Sequence, residues 1–342
     1  MPLSLLRLPE TALRLTVSSM EPLESLTLCL CSEKSRKLIA SLNLKSCYAC
    51  INLEHTPSFT ITFHNNKELT MYLNSTRSAR NGELITELQV ESVDVEFGNA
   101  DENVLLHEDL ITTNVWTKPE WSFEDWAKFI IEIFGVKFGA ITFDMDSDRY
   151  DLPSIKLQLE ALHENVVLVQ EECSRRHHWM VYDTFQPING SCISINPYPS
   201  SLSFQRLLHQ NFSYLEFSNN CPVALEELLV TNSKTLELYN CFEMTVKDIN
   251  RFIKLWQKGS NSAMMFMAIR MPVGQVLEIG KVLKGTKYQV ASKKRDLKMR
   301  NKKYVLYTVT GGYDVRGKNG RVATVKIVRK DERYCLEFHV WP

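Results

Sequence analysis

LPETALRLTVSSMEPLESLTLCLCSEKSRKLIASLNL, residues 8–44, carries the local pattern around which the chain is organised. Pro9 suits the first turn of a helix, because the amide hydrogen that proline lacks has no partner there. The residue before Pro22 is pushed out of the helical region, so one helix ends there and a second begins. Ser32 is placed to cap a third helix by accepting from the free amides that follow it. The stretch therefore predicts three short helices.

Each predicted helix has an apolar stripe at helical spacing. The stripes consist of Leu13, Val17 and Met20, then Leu23, Leu26 and Leu30, and finally Leu38, Ile39 and Leu42. A unit this small rarely buries enough apolar surface to be stable by itself. From the residues alone, we expect a small helical module that acts as a docking surface.

The same stretch resembles an F-box, in the form found in the large nematode F-box family. Two elements carry the likeness, Met20-Glu21-Pro22-Leu23-Glu24 and Ser32-Glu33-Lys34-Ser35, while Thr16 departs from the apolar residue that relatives carry. The resemblance implies an F-box over residues 3–45 that docks a Skp-type adaptor and, through it, a cullin-RING ubiquitin ligase. The adaptor-binding residues that it implies are Leu8, Pro9, Leu13, Met20, Pro22, Leu23, Leu26, Leu28, Ser32, Leu38 and Ile39. The alternative is a plain helical cap on a larger core.

Charge is balanced over the chain but not along it. The 342 residues include 40 basic and 40 acidic side chains. Residues 82–125 hold twelve acidic side chains against Lys118, and residues 281–303 hold ten basic side chains against Asp296. Balanced net charge gives no global field toward nucleic acid or a membrane surface. We therefore expect neither partner, and we interpret the two charged stretches as solvated faces.

The cysteines indicate a reducing compartment. There are nine, an odd number, and they are scattered rather than arranged as a disulfide framework. Four lie in apolar surroundings typical of buried thiols: Cys29, Cys31, Cys173 and Cys241. Charged residues near the start argue against a secretory signal, and no stretch approaches the ~20 apolar residues of a membrane span. The sequence predicts a cytoplasmic or nuclear protein, or one found in both places.

Residues 46–120 form a β-rich connecting segment by pattern. Phe59–Phe63 and Leu69–Leu73 alternate in polarity around a polar turn and predict a hairpin. Residues 87–97 alternate again. A helix is predicted over Trp121–Phe134, with Ser122 as its cap.

The following residues repeat a leucine-rich-repeat-like pattern at a spacing within that class's period. The matched positions are Phe138, Ile141, Phe143 and Asp146, then Phe212, Leu215, Phe217 and Asn220, and then Leu236, Leu238 and Cys241. Helical segments lie between them, including an amphipathic one at Thr245–Lys258 that Gly259 ends. The predicted fold is thus α+β or α/β, with the three-helix F-box followed by a curved α/β solenoid and an antiparallel β meander over residues 304–342. The alternative is an irregular α/β domain with a mixed sheet.

The second half also resembles the nematode F-box-associated domain of type 2. The motifs are Asn232-Ser233, Asp248-Ile249-Asn250-Arg251-Phe252, Trp256, Gly259-Ser260-Asn261, Gly312-Tyr313-Asp314, Gly320 and Phe338-x-Val340-Trp341. This resemblance implies a target-recognition domain over residues 121–342. Together, the two resemblances predict a substrate-recognition subunit of a Skp–cullin–F-box ubiquitin ligase that is not itself an enzyme and holds no cofactor or metal. The alternative is a repeat-domain interaction scaffold with a vestigial F-box. The target and its binding residues are unknown from the sequence.

Two motifs partly match known ligand-binding loops but lack residues that those loops need to bind their ligands. Residues 312–319 come near a phosphate-binding loop, but Asn319 lacks the required hydroxyl and a strand pattern follows, so a hairpin turn is favoured. Residues 144–148 begin like a calcium loop, but Arg149 and Ile155 stand where glycine and the bidentate glutamate belong. We expect a solvated turn there.

Three further clusters suggest chemistry weakly. Cys29, Cys31 and the Cys47-x-x-Cys50 pair have four thiols, but two cysteines two apart on a helix point to different sides, so zinc is disfavoured. The run Arg175-Arg176-His177-His178-Trp179 has no nucleophile beside it and is interpreted as surface polar residues next to a packed Trp179. The basic run Lys293–Lys303 has no interleaved aromatic residue, and a solvated loop is expected.

Overall fold

The computed structural model describes residues 8–42, 44, 46–65, 67–75, 84–99, 114–118, 120–136, 138–162, 166–198, 201–218, 223–240, 242–291, 295–298, 306–318, 320–330 and 332–341. The chain divides into two compact units, Met1–Glu164 and Asn165–Pro342, here called unit 1 and unit 2. None of the described helices is long and apolar enough to span a bilayer.

In the described part of unit 1, three helices are followed by five strands and then by a helix, a strand and a further helix. The elements are α1 (Glu10–Ser18), α2 (Pro22–Cys31), α3 (Glu33–Leu42), β1 (Ser46–Leu53), β2 (Ser58–Phe63), β3 (Lys67–Asn74), β4 (Ser92–Asn99), β5 (Asn114–Trp116), α4 (Phe123–Phe134), β6 (Ala140–Phe143) and α5 (Leu152–Leu159). The predicted hairpin is confirmed, because β2 and β3 pair antiparallel.

The strands of unit 1 lie in the order β6-β1-β2-β3-β4-β5, with β6 parallel to β1 and the others antiparallel. Helix α4 packs on one face of this sheet, where the ring centroids of Phe59 and Phe123 are 4.9 Å apart and those of Phe63 and Phe134 are 5.4 Å apart. The predicted cap of α4 is confirmed, because the Ser122 hydroxyl accepts from an amide of the first turn. The apolar face of α4 therefore covers the apolar side chains on this face of the sheet.

The three N-terminal helices are part of unit 1 rather than a separate module. Arg36 of α3 pairs with Glu132 of α4 at 3.5 Å, and Glu21 before α2 pairs with Lys67 of β3 at 2.9 Å. The predicted fold class placed these helices in a small N-terminal F-box of their own, ahead of the rest of the fold. That part of the prediction is wrong, since α3 contacts α4 and all three helices belong to the same compact unit as the sheet. The predicted domain boundaries after residues 45 and 120 stay predictions.

Unit 2 alternates strands and helices and then continues mostly in strands. The elements are β7 (Val166–Val169), α6 (Arg175–Thr184), β8 (Gly190–Ile193), α7 (Ser201–Leu208), β9 (Tyr214–Phe217), α8 (Leu225–Val230), β10 (Thr235–Tyr239), α9 (Val246–Gln257), β11 (Phe266–Arg270), α10 (Ile279–Val282), β12 (Tyr288–Val290), β13 (Arg295–Lys298), β14 (Leu306–Val309), β15 (Tyr313–Arg316), β16 (Val322–Lys330) and β17 (Arg333–Val340).

The main sheet of unit 2 has the strand order β12-β15-β16-β17-β11-β10-β9-β8-β7. The run from β7 to β11 is parallel, and β11 then pairs antiparallel with β17. Helices cover one face, as shown by Phe338 of β17, whose ring centroid is 5.0 Å from that of Trp256 of α9. On the opposite face, Val309 of β14 packs in a buried cluster with Phe266 and Ala268 of β11. Both faces of the central strands are therefore buried.

The prediction of a leucine-rich-repeat-like solenoid with a separate β cap is wrong. Strands β15, β16 and β17 continue the sheet that contains the parallel strands, so unit 2 has one mixed main sheet instead of a repeat array with a cap. The remaining tail strand, β14, pairs with β13. Short apolar strands separated by helices are equally typical of parallel βαβ units, and periodicity alone does not separate the two arrangements. The alternative stated from the sequence, an α/β domain with a mixed sheet, describes the structure.

Candidate functional site

A groove of about 700 Å³ opens in unit 2 between α6, α7 and the chain that follows β8. Its described lining residues are Arg175, Arg176, Trp179, Asp183, Gln186, Pro197, Tyr198, Ser203, Arg206 and Leu207. Cavities that bind small ligands span ~300–1,000 Å³, so the groove is large enough for a ligand or several side chains. We call it the arginine groove.

Helix α6 forms one wall of the arginine groove. The Ser174 hydroxyl caps the helix by accepting from the His177 amide at 3.1 Å. Arg176, Trp179 and Asp183 follow at steps of three and four residues, which places them on one face of the helix. Val181 and Tyr182 lie on the buried face. The side chain of Trp179 is 42% exposed, so the prediction that it is packed is wrong.

The adjacent histidines anchor α6 instead of lying at the surface as predicted. His177 and His178 are 4% and 0% exposed. The Nδ1 atom of His178 lies 3.2 Å from the Ser174 carbonyl oxygen, and its Nε2 atom lies 3.0 Å from the Ser194 hydroxyl. Because Ser194 follows β8 directly, this imidazole connects α6 to the chain that leads into the groove floor.

The floor and second wall come from residues far along the sequence. Pro197 and Tyr198 are buried beneath the groove, and the Tyr198 amide donates to the Asn196 side chain at 3.0 Å. Helix α7 contributes the exposed guanidinium of Arg206 beside the buried Leu207. Nothing in the sequence singled out Tyr198 or Arg206, because only the fold brings α7 beside α6.

The electrostatics of the groove are dominated by arginine. Among the described lining residues there are three guanidinium groups and one carboxylate. The carboxylate of Asp183 lies near Tyr198, where burial and then this negative charge raise the pKa of the phenol, opposed by a hydrogen bond with Gln186. A net positive groove with an exposed indole can pair ionically with an anion and pack against an apolar group.

Acid should weaken unit 2 through His178. Burial lowers the pKa of this imidazole below its ordinary value of 6.5, because the charged form is poorly solvated there. Between pH 6.5 and the depressed folded pKa, the unfolded chain binds the proton and the folded chain does not, so the free energy of unfolding falls as the pH drops through this range and levels off below the folded pKa. We expect His178→Gln to remove this pH dependence, as measured by urea unfolding at a series of pH values.

The control for this experiment is internal. Well above pH 6.5 the parent and His178→Gln differ only by the structural cost of the substitution, and their gap in free energy of unfolding should narrow on acidification. A gap that stays constant across the pH series would contradict the prediction.

The predicted adaptor-binding residues divide by burial. Four are buried inside unit 1: Leu13, Leu23, Leu26 and Ile39. Six are half-buried: Leu8, Met20, Pro22, Leu28, Ser32 and Leu38. Pro9 is exposed. The buried four pack within the protein, so the half-buried residues and Pro9 are those that a partner can reach. Their role in adaptor binding stays a prediction.

The four cysteines considered for zinc have separate environments. Cys29 is buried, and burial raises the pKa of its thiol to about 12. The Cys47 sulfur lies 2.9 Å from Nδ1 of His64, while the Cys50 sulfur lies 3.4 Å from the Asn52 amide oxygen. Across the described part of the chain, no group of three or more His, Cys, Asp or Glu side chains is arranged to hold a metal ion.

The other predicted thiol environments are partly corrected. Cys173 is buried as expected, whereas Cys31 is exposed on the outer side of α2 and its predicted apolar surroundings are wrong. Cys241 and Asn220 lie outside the described residues.

The two ligand-loop motifs form turns. Strand β15 pairs antiparallel with β16, which confirms the predicted hairpin; Asn319 itself lies outside the described residues. After β6, the Asp144 side chain accepts from the Asp146 amide at 2.9 Å and begins a 3-10 turn over Met145–Arg149.

Most of the basic run at residues 293–303 also lies outside the described residues. Its described part, Arg295–Lys298, is strand β13 rather than the predicted loop.

Comparison with known proteins finds an F-box-associated domain at residues 203–269. This segment runs from within α7 to within β11 and includes Arg206 and Leu207 of the arginine groove. It supports the second family resemblance seen in the sequence, while the N-terminal F-box and nematode origin stay predictions. A search of curated proteins returned no match, and a search of solved structures returned none either.

Proposed function

We propose that this protein is a substrate-recognition subunit of a Skp–cullin–F-box type ubiquitin ligase. In this role, unit 2 binds a protein target and the N-terminal helices dock a Skp-type adaptor. The observation that carries the proposal is the F-box-associated domain at residues 203–269. That domain lies beside a groove with exposed arginine and tryptophan side chains, residue types enriched where proteins bind tightly.

The adaptor side of the proposal rests on the sequence resemblance of residues 8–44. Half-buried apolar side chains on α2 and α3, such as Leu28 and Leu38, present surface that a partner can cover. A stable interface of this kind buries ~1,600 Å² in total, and a few residues supply most of its energy. We further propose that the chain works in the cytoplasm or nucleus and performs no catalysis, because ubiquitin transfer belongs to other subunits and this one supplies proximity.

One observation favours a second candidate, a protein-interaction scaffold outside any ligase. Leu13, Leu23, Leu26 and Ile39 are used in packing inside unit 1. Helices that pack on their own unit serve as an ordinary cap on a core, and such a cap requires no adaptor.

Co-expression with a Skp-type adaptor and affinity capture tests the proposal. We expect stoichiometric capture of the parent chain. We expect Leu28→Glu together with Leu38→Glu to reduce capture at least about tenfold, because charge placed in an apolar interface costs several kcal/mol. The measurement is the amount of adaptor retained per captured chain.

Two variants control this capture experiment. Thr27→Glu adds one negative charge, half of what the double variant adds, at an exposed position of α2 and should leave capture unchanged. Leu26→Ala creates a cavity inside unit 1 and reports the effect of general destabilisation on capture. If the parent chain is folded by circular dichroism and captures no adaptor, the ligase role fails and the scaffold takes its place.

A further inference from the structure

The arginine groove carries positive charge that the described part of the chain leaves without a counter-ion. Arg175 and Arg176 project from α6 and Arg206 from α7, and among the described residues none of the three forms an ion pair. All three are exposed. Asp183 is the single carboxylate of the described lining, and it lies toward the Tyr198 phenol. The rest of the groove therefore offers unpaired guanidinium groups to an incoming ligand.

The groove also offers an apolar contact beside these charges. The indole of Trp179 is 42% exposed, and Pro197 and Leu207 add buried apolar surface to the lining. Arginine binds carboxylates with two parallel hydrogen bonds. An apolar side chain that packs on an exposed indole buries apolar surface and so stabilises the complex. A ligand that matches both features carries negative charges next to an apolar group.

These features fit an acidic peptide better than a nucleic acid. A single-strand reader tracks a phosphate backbone along a basic groove and stacks bases on exposed rings. In this groove Tyr198 is only 8% exposed, which leaves Trp179 as the exposed ring among the described lining residues. Short acidic motifs, by contrast, are bound by clusters of arginine.

We propose that the arginine groove binds an acidic peptide segment of a protein partner, in which aspartate or glutamate side chains flank an apolar residue. The carboxylates pair with Arg175, Arg176 and Arg206, and the apolar residue packs on Trp179. This inference rests on the proposed function, in which unit 2 binds a protein target, and it names the chemistry of that target.

Selection from a randomised peptide library against the immobilised full chain tests the inference without assuming a sequence. We expect the selected peptides to contain more Asp and Glu than the unselected library. A fluorescein-labelled peptide made from the selected consensus should then bind in solution by fluorescence anisotropy, and its affinity should fall as salt is raised, because exposed ion pairs are screened. Selected peptides without acidic enrichment would overturn the inference.

Matched variants then locate the binding site. Arg176→Glu together with Arg206→Glu should weaken binding of the consensus peptide at least about a hundredfold, since loss of each charge-assisted contact costs about tenfold. Arg251→Glu changes an exposed arginine of α9 that does not line the groove and should have no effect. Trp179→Ala should weaken binding about tenfold, whereas Phe242→Ala removes a ring that is 70% exposed elsewhere and should not.

Other ligands define the remaining outcomes. A consensus peptide with glutamine in place of each acidic residue should bind at least about tenfold more weakly. A phosphoserine version that binds while the carboxylate version does not would replace the acidic peptide with a phosphopeptide and overturn the inference as stated. In a competition experiment, unlabelled oligo-uridine and unlabelled consensus peptide are each added to the complex with the labelled peptide. If oligo-uridine displaces the labelled peptide at a lower concentration than the unlabelled peptide does, the inference is overturned in favour of a nucleic acid ligand.

The experiment separates this inference from the proposed function. Peptide binding is measured on the purified chain without adaptor, and adaptor capture is measured without peptide. Capture without acidic-peptide binding leaves the ligase role standing and removes the inference about the groove. If the chain binds the peptide but captures no adaptor, the inference about the groove stands and the proposed ligase role is wrong.

Discussion

Phe338→Ala is expected to lower the free energy of unfolding by ~3–5 kcal/mol, because it removes a fully buried ring from the junction between a helix and the sheet. The ring centroid of Phe338 lies 5.0 Å from that of Trp256 and 6.1 Å from that of Phe252. The Phe338 side chain is 0% exposed, so a cavity would replace it. Urea unfolding measures the loss, and hydrogen exchange of peptides from α9, β11 and β17 locates it.

Phe242→Ala is the matched control for this substitution. Its ring is 70% exposed, so the same truncation should change the free energy of unfolding by less than ~0.5 kcal/mol. Equal losses for the two variants, or faster exchange outside unit 2 in Phe338→Ala, would show that Phe338 does not hold α9 on the sheet.

Gly312→Ala is expected to cost ~2–5 kcal/mol, because two penalties act on one residue. Its φ of +103° lies in the region that side chains disfavour. An added Cβ would also meet Cγ2 of Thr324 at 2.7 Å and the Val325 carbonyl oxygen at 2.9 Å. Because that oxygen belongs to the backbone of β16, it cannot move aside cheaply. The free energy of unfolding measured in urea gives the total cost.

The neighbouring glycine separates the two penalties. Gly311 has a φ of +71° and nothing within 4 Å of an added Cβ, so Gly311→Ala should cost only the ~1–2 kcal/mol of left-handed strain. The difference between the two variants measures the close approach of Gly312 to β16. If both variants lost the same free energy of unfolding, the contact between an added Cβ at residue 312 and β16 would add no cost to Gly312→Ala.

The sequence predicts the elements of the fold better than their assembly. Helix α9 shows this: its sequence predicts an apolar stripe of five residues, of which Ile249, Phe252, Ile253 and Trp256 are buried and Val246 is half-buried. Its predicted stop is also present, since Gly259 has a φ of +111°. A long amphipathic stripe requires only local spacing, which a single sequence contains. Whether neighbouring strands belong to a repeat array or a mixed sheet depends on pairing between distant residues, as between β11 and β17.

The arginine groove could not be predicted from the sequence for a similar reason, because its lining residues come from distant parts of the chain. The run from Arg175 to Trp179 stands out in the sequence, but its pattern predicts surface histidines and a packed Trp179, and the structure has the reverse. The partners that bury His178 instead include Ser194 from the chain after β8, and the opposite wall comes from Arg206. Neither lies close enough in sequence to reveal a shared site. The F-box-associated resemblance of the second half needed no such pairing, because it depends on residue identity in order.

The placement of α1, α2 and α3 within unit 1 has a thermodynamic consequence for any partner that binds their outer faces. Apolar side chains of all three helices, such as Leu13, Leu26 and Ile39, are buried inside unit 1, so the folded form of the helices is coupled to that of the unit. A partner that recognises the folded helices and not the unfolded chain stabilises all of unit 1 by mass action, by ~2.7 kcal/mol at a hundred times its dissociation constant. The cellular level of this protein would then rise and fall with the supply of that partner.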